Sequence, residues 1–229
     1  KFNYQFRIPN SKEKNIKQGV MQELLTGKRR LEGFSVKWET KTLDEICIKD
    51  GLIRGPFGGN LKKEDFVNFG YKVYEQKNAI YKNISDGNYF VDENKFSKLK
   101  RFSVHSGDFI LSCSGTIGKL FQIPKNAPSG IINQALLLLK INRDFIDEKF
   151  FTYYFEFDEF QQKIIDNTHG GAMQNLVSMN DFKKTSFQIP TNMKEQLAIS
   201  QILSDMDEEI NQLEKQLEKY TNLKQAMMQ

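Results

Sequence analysis

The sequence predicts an α+β fold: a mixed α/β domain carrying a short N-terminal helix and a long C-terminal coiled-coil helix. Three observations predict it. From Ile199 onward apolar residues recur at alternating intervals of four and three. Short β-rich runs punctuated by glycine fill the middle of the chain. Residues 15–22 match the last eight residues at five of eight positions. A chain of 229 residues fits one full domain with an appendage. With 39% hydrophobic and 27% charged residues, it is neither collagen-like, mucin-like nor broadly disordered.

The C-terminal helix is the most legible element. Pro190 cannot extend a helix, and Thr191 and Asn192 offer capping side chains for the orphan N–H groups that follow. One heptad position then reads Ile199, Met206, Leu213, Tyr220, Met227, and the other Leu203, Ile210, Leu217, Lys224. A narrow apolar stripe on a long polar helix is stable only when packed, so the seam requires a partner helix. The alternative is an amphipathic helix lying on its own domain. Lys224 within the seam either specifies register or packs its stem while its charge reaches water.

In the middle, Tyr71–Val73, Asp108–Cys113, Lys119–Ile123 and Ile131–Ile141 read as strand material, with glycines between them. The pattern turns helical from Phe145 to Asn167. The 19 phenylalanines imply an aromatic core rather than a stacking surface for bases. At the N-terminus, Asn15 to Gln22 echo Asn222 to Gln229, so the chain begins on what looks like the end of the helix with which it closes. A shorter echo, Phe6-x-Ile8-Pro9 against Phe187-x-Ile189-Pro190, suggests that both helices start alike. Matching ends are expected of a tandem repeat or of a closed dimer. Domain boundaries follow: 1–33, 34–190 and 191–229.

Charge is distributed unevenly. The net +4 combines a C-terminal segment, 191–229, of four lysines against seven acids with an N-terminal segment, 1–33, of eight basic residues against three acids. A basic chain raises a nucleic-acid hypothesis without deciding it. Cys47 and Cys113 build no disulfide framework and fit a reducing compartment. No run approaches the roughly 20 apolar residues of a membrane span, so a cytoplasmic location is expected. The chain starts at Lys1 with no signal-peptide pattern, and the expectation is a processed or excised segment.

Several chemistries find little support. His105 and His169 lack neighbouring ligands at metal spacing, and no Cys-x-x-Cys occurs. The sequence Ser112-Cys113-Ser114-Gly115-Thr116-Ile117-Gly118-Lys119 lacks the order of a phosphate loop and reads as a turn between strands, with hydroxyls and amides free for a ligand. Asp65 with Glu75-Gln76-Lys77 has the composition of a metal-dependent nuclease core, a minor alternative in a chain so rich in Glu and Lys.

Three segments suit DNA. Arg54 to Lys63 joins a Gly-rich turn to Arg54, Asn60, Lys62 and Lys63; Arg can grip a guanine edge, Asn an adenine, and lysines phosphates. The 112–119 turn adds Ser114, Thr116 and Lys119. The stretch 169–175 adds Gln174 and Asn175.

Taken in order, Gly55-Pro56-Phe57-Gly58-Gly59-Asn60-Leu61-Lys62, Gly107 to Ser112 running into Ser114 to Lys119, Ile132-Asn133-Gln134-Ala135, Ile189-Pro190 before Glu195 to Ile199, and the helix endings Lys224 to Gln229 and Met21 to Lys28 carry a resemblance. The chain resembles one repeat of the specificity (S) subunit of type I restriction–modification enzymes, over essentially its whole length. The resemblance implies a non-catalytic subunit in which residues 34–190 form a target-recognition domain reading one half of a bipartite site in double-stranded DNA, and 191–229 a spacer helix. It further implies partner methyltransferase subunits that methylate adenine with S-adenosylmethionine, and restriction subunits that use ATP and Mg, with no cofactor bound by this chain. One recognition domain instead of two leaves a fragment or a half-size subunit. The repeated helix ends favour a homodimer through antiparallel helices, with Ile199, Leu203, Met206, Ile210, Leu213, Leu217, Tyr220 and Met227 at its interface, and hence a palindromic split target. The alternative from another class is a coiled-coil module that binds only protein.

Overall fold

The computed structural model describes residues 3–57, 59–166 and 175–228, and side chains of residues 12–57, 59–165 and 176–228. In chain order the elements are α1 (Asn3–Leu25), β1 (Glu39–Thr42), α2 (Leu43–Ile46), β2 (Cys47–Arg54), β3 (Phe66–Val67), β4 (Tyr71–Tyr74), α3 (Gln76–Ile80), β5 (Phe90–Val91), α4 (Glu93–Lys98), β6 (Ser103–Val104), β7 (Phe109–Ser112), β8 (Leu120–Gln122), β9 (Gly130–Ile132), β10 (Leu136–Ile141), α5 (Glu148–Glu156), α6 (Asp158–Ile164), β11 (Ile165–Asp166), β12 (Asn175–Leu176), α7 (Met179–Lys184), β13 (Ser186–Ile189) and α8 (Met193–Met227). They divide into two compact units.

The larger unit comprises Thr40–Glu148 and Phe155–Phe187. Its four-stranded sheet has the order β2-β10-β7-β8, and its five-stranded sheet the order β3-β5-β4-β9-β6. β10 lies between β2 and β7, antiparallel to both. Residues Leu136 to Leu139 are buried completely, which is why this strand reads as an unbroken apolar run rather than an alternating one. In the second sheet β4 and β9 run parallel. Ile53, Ile110, Leu136 and Leu138 from the first sheet share one core with Tyr74, Val104 and Ile132 from the second.

The single run predicted over Ile131–Ile141 is two strands in two sheets. Asn133 breaks it: its Oδ1 accepts a hydrogen bond from the Ala135 N–H at 3.0 Å, a side-chain mimic of a turn. The aromatic core is present, with Phe109, Phe155, Phe160 and Phe182 fully buried.

The smaller unit comprises Lys1–Glu39, Lys149–Tyr154 and Gln188–Gln229. Asn192 caps α8, accepting from the Lys194 N–H at 3.0 Å. α1, of 23 residues, lies antiparallel along the first part of α8. Ion pairs fix that direction, because Lys14 meets Glu214 at 2.7 Å while Lys17 meets Asp207, and further along the chain Arg30 meets Glu195. Tyr153 donates to the other oxygen of Asp207 at 2.8 Å.

The seam predicted on α8 is buried at Ile199, Leu203 and Ile210 and half-buried at Met206, Leu213 and Leu217. Over this part α8 packs against the chain's own α1. Tyr220 and Met227, also expected in an interface, stay exposed within one chain. The three-letter echo carries no common conformation: Phe6 to Pro9 lie inside α1, whereas Phe187 to Ile189 are strand. The eight-residue echo differs in kind, since residues 15–22 lie in α1 and 222–227 in α8.

Candidate nucleic-acid interface

Register in the four-stranded sheet brings three loops to one end. Arg54, the last residue of β2, faces Leu137, and Ser112, the last of β7, faces Leu136 at the start of β10. The Gly55 N–H donates to the Leu136 carbonyl at 2.9 Å, and the Cys113 N–H to that of Ala135, also at 2.9 Å. Gly55 is obligatory here: a Cβ at this position would lie 1.8 Å from the Asn133 carbonyl oxygen. The Asn133 N–H in turn donates to the Tyr74 carbonyl, so the end of β4 and the start of α3 reach the same edge.

The 113–119 segment is the hairpin turn its small polar residues predict, closing antiparallel β7 and β8. The Gly118 N–H donates to the Ser112 carbonyl and the Lys119 N–H to the Ser112 hydroxyl, both at 3.0 Å. Gly118 takes φ +78°, and a Cβ there would fall 2.2 Å from Gln161 Oε1. This close support holds the turn while Ser114, Thr116 and Lys119 stay exposed.

A cleft of about 270 Å³ opens beside this turn, lined by Arg54, Phe57, Cys113, Leu176, Val177 and Met179. The Arg54 guanidinium carbon stands 5.7 Å from the Phe57 ring centroid. Burial pushes the Cys113 thiol up to about 11, with the Arg54 charge opposing, so it stays neutral at neutral pH. Both cysteines are free.

The remaining predicted residues lie elsewhere or serve their own loop. Asn60 turns its amide back onto the Phe57 carbonyl. The Lys62 N–H donates to Asp65 Oδ2 at 2.7 Å, and Lys62 and Lys63 are exposed. Phe66, just beyond, pairs with Val91, which also pairs with Tyr71 at the start of β4. The loop therefore carries its lysines from the Arg54 end of the fold to the opposite end of β4. Gln174 lies outside the described residues; Asn175 belongs to β12, its side chain outside them.

The nuclease alternative is not assembled. Asp65 pairs with Lys95 at 2.8 Å, which with the Lys62 N–H holds its carboxyl below the usual range. Glu75 pairs with Lys77 at 3.2 Å. Asp65 precedes the strand level with Tyr71, and Glu75 follows Tyr74, so a four-residue strand, about 13 Å, separates their levels. Among the described residues no group of three His, Cys, Asp or Glu could hold a metal ion.

Sequence reasoning missed the apolar side of the cleft. Phe57 sat in a glycine-rich stretch with no cofactor pattern, and Leu176, Val177 and Met179 carry no local signal at all; only folding brings them to Arg54. Gln76 was read within the acidic pattern, yet its amide nitrogen approaches the site of a Gly115 Cβ to 3.5 Å, and its Oε1 is buried without a hydrogen-bond partner.

The family described as the type I restriction modification DNA specificity domain matches residues 35–221. The chain belongs to that family. Among solved structures, the specificity-domain chain superposes on the HsdS subunit from Thermoanaerobacter tengcongensis with a TM-score of 0.67 at 14% identity, covering 99% of this chain and 52% of that one. A chain of a type I restriction–modification system, solved for its complex assembly and conformational transition, gives 0.65 at 15%, covering 98% and 54%. The S subunit from M. genitalium gives 0.58 at 13%, covering 97% and 55%. The chain thus spans about half the length of these relatives, and the likeness is one of fold. No curated protein matches it. Among the described residues no helix is long and apolar enough to cross a membrane.

Proposed function

We propose that this specificity-domain chain is a non-catalytic, cytoplasmic DNA-recognition subunit that reads one half of a bipartite target. Its recognition domain, 34–190, faces DNA with the sheet end that bears Arg54 and the 113–119 turn. One observation carries the reading: Arg54, half-buried, has no carboxylate partner among the described residues, and it stands beside exposed hydroxyls on a supported turn. An arginine without a carboxylate partner suits base edges, while Lys62, Lys63 and Lys119 suit phosphates. Asn60, Ser114, Thr116, Gln174 and Asn175 remain candidate contacts.

The helices of 1–33 and 191–229 act as spacer and assembly surface. They position methyltransferase subunits, which use S-adenosylmethionine, and restriction subunits, which use ATP and Mg; this chain binds no cofactor itself. Leu223, Met227 and Met228 are exposed, within the segment that repeats 15–22. Lys224 and Met228 correspond there to Lys17, which pairs with Asp207, and to buried Met21. The end of α8 therefore repeats the chemistry that docks α1, and a second copy, or a second recognition repeat, is its natural partner. Paired copies would read a palindromic split site.

Adenine-methylation mapping of plasmid DNA from cells that co-express the chain with its cognate methyltransferase subunit tests this reading. A split motif supports it, and a palindromic one supports self-pairing as well. A soluble complex that adds no methylation favours the second reading, a coiled-coil module that binds only protein, for which the same exposed residues on α8 speak.

A further inference from the structure

The Arg54 cleft has a composition that selects among base edges. Arg29, Arg30 and Arg143 each hold a carboxylate. Arg54 holds none among the described residues, although it is half-buried. Its side chain borders the cleft together with Cys113 and stands over the Phe57 ring. Neither satisfies a planar fork of five N–H donors, which matches two acceptors side by side. The rest of the cleft is apolar: Leu176, Val177 and Met179. Among the described lining residues a phosphate finds one cation and no further donor side chain, and it is desolvated by the walls. A base-pair edge fits better. Guanine alone offers two adjacent acceptors, O6 and N7, in the major groove, and thymine alone offers a methyl group.

Resting on the DNA-reading role above, we propose that this cleft reads a guanine through Arg54 and a thymine beside it, whose 5-methyl group packs against Leu176, Val177 and Met179. Arg54 is then the specificity-determining donor, and the wall of Leu176, Val177 and Met179 sets the neighbouring base.

The test uses the chain in complex with its methyltransferase subunit. After the motif is mapped, competition binding compares the native duplex with duplexes that carry 7-deazaguanine or uracil at the expected positions. The half-site contains a guanine next to a thymine. Removing N7 takes away one of the two hydrogen bonds and weakens binding at least roughly 5-fold, the lower end of the range of a good bidentate contact, and uracil weakens it by a smaller factor. Arg54→Met, which removes every donor, removes the distinction between guanine and 7-deazaguanine. A half-site without adjacent guanine and thymine overturns the proposal. So does an Arg54→Met complex that still distinguishes the two duplexes, or one that loses affinity equally for every sequence, because Arg54 would then hold a phosphate. These results leave DNA recognition standing, whereas absence of any methylation removes the role itself.

Discussion

Arg30 grips Glu195 through two hydrogen bonds, Nε to Oε1 at 2.7 Å and Nη2 to Oε2 at 2.8 Å. The Glu195 side chain is 1% exposed and that of Arg30 28%, so the pair is largely desolvated. The guanidinium also lies 5.4 Å from the Trp38 ring and donates to the Val36 carbonyl, which ties the segment after α1 to the first turn of α8. Breaking a buried pair by removing one partner strands the other charge and costs about 3 kcal/mol or more. Glu195→Ala should lower unfolding free energy by about that amount in urea titration, and Arg30→Met with Glu195→Leu should recover most of it.

The same pair shows how far the sequence could be read. The motifs around Leu24 to Lys28 and Glu195 to Ile199 are recognisable separately, as is the heptad seam, because capping and periodicity are local properties. That the two motifs meet depends on a contact across 165 positions, which no local pattern encodes. Arg54 and the 113–119 turn stand out for their residue types, and sheet register unites them. Leu176, Val177 and Met179 look like ordinary core residues until the fold sets them beside an arginine. Asn133, by contrast, was legible as a turn former and was overlooked because strong apolar runs flank it.

Gly55 permits a backbone approach that no side chain allows. A Cβ would meet the Asn133 carbonyl oxygen at 1.8 Å and the Gln134 Cα at 3.0 Å, and both are backbone atoms that cannot swing aside. Gly55→Ala should cost about 3 kcal/mol or abolish soluble expression. Gly19 is the opposite case: it lies inside α1 with nothing within 4 Å of a built Cβ. Gly19→Ala should stabilise by about 0.5–1 kcal/mol, and thermal unfolding of the two variants should therefore shift in opposite directions.

The antiparallel pairing of α1 and α8 predicts a charge-reversal rescue. Lys17 meets Asp207 with side chains 17% and 40% exposed, and solvent screens part of the attraction. Lys17→Glu alone should destabilise by about 1 kcal/mol, since it sets like charges against each other. Adding Asp207→Lys should recover part of the loss; the recovery stays partial because Tyr153 donates to Asp207 and loses its acceptor. Urea titration of the four proteins measures the coupling. Equal losses in the single and double variants would mean that these helices do not pair in this register.

The buried thiols predict a loss of stability at alkaline pH. Burial raises the Cys47 thiol to about 12 and the Cys113 thiol to about 11, both from 9.0. An acid whose folded pKa lies above its unfolded value releases its proton more readily when unfolded, so its contribution is complete below pH 9 and is lost as pH climbs toward 11–12. Each unit of difference is worth about 1.4 kcal/mol, so the two thiols together, shifted by about five units, should remove on the order of 7 kcal/mol across that window. Cys47→Ala with Cys113→Ala isolates the thiols: the double variant's stability should fall less steeply than the parent's between pH 9 and 11. Labelling of the folded parent by a thiol reagent at pH 8 should be slow, and denaturant should release both cysteines.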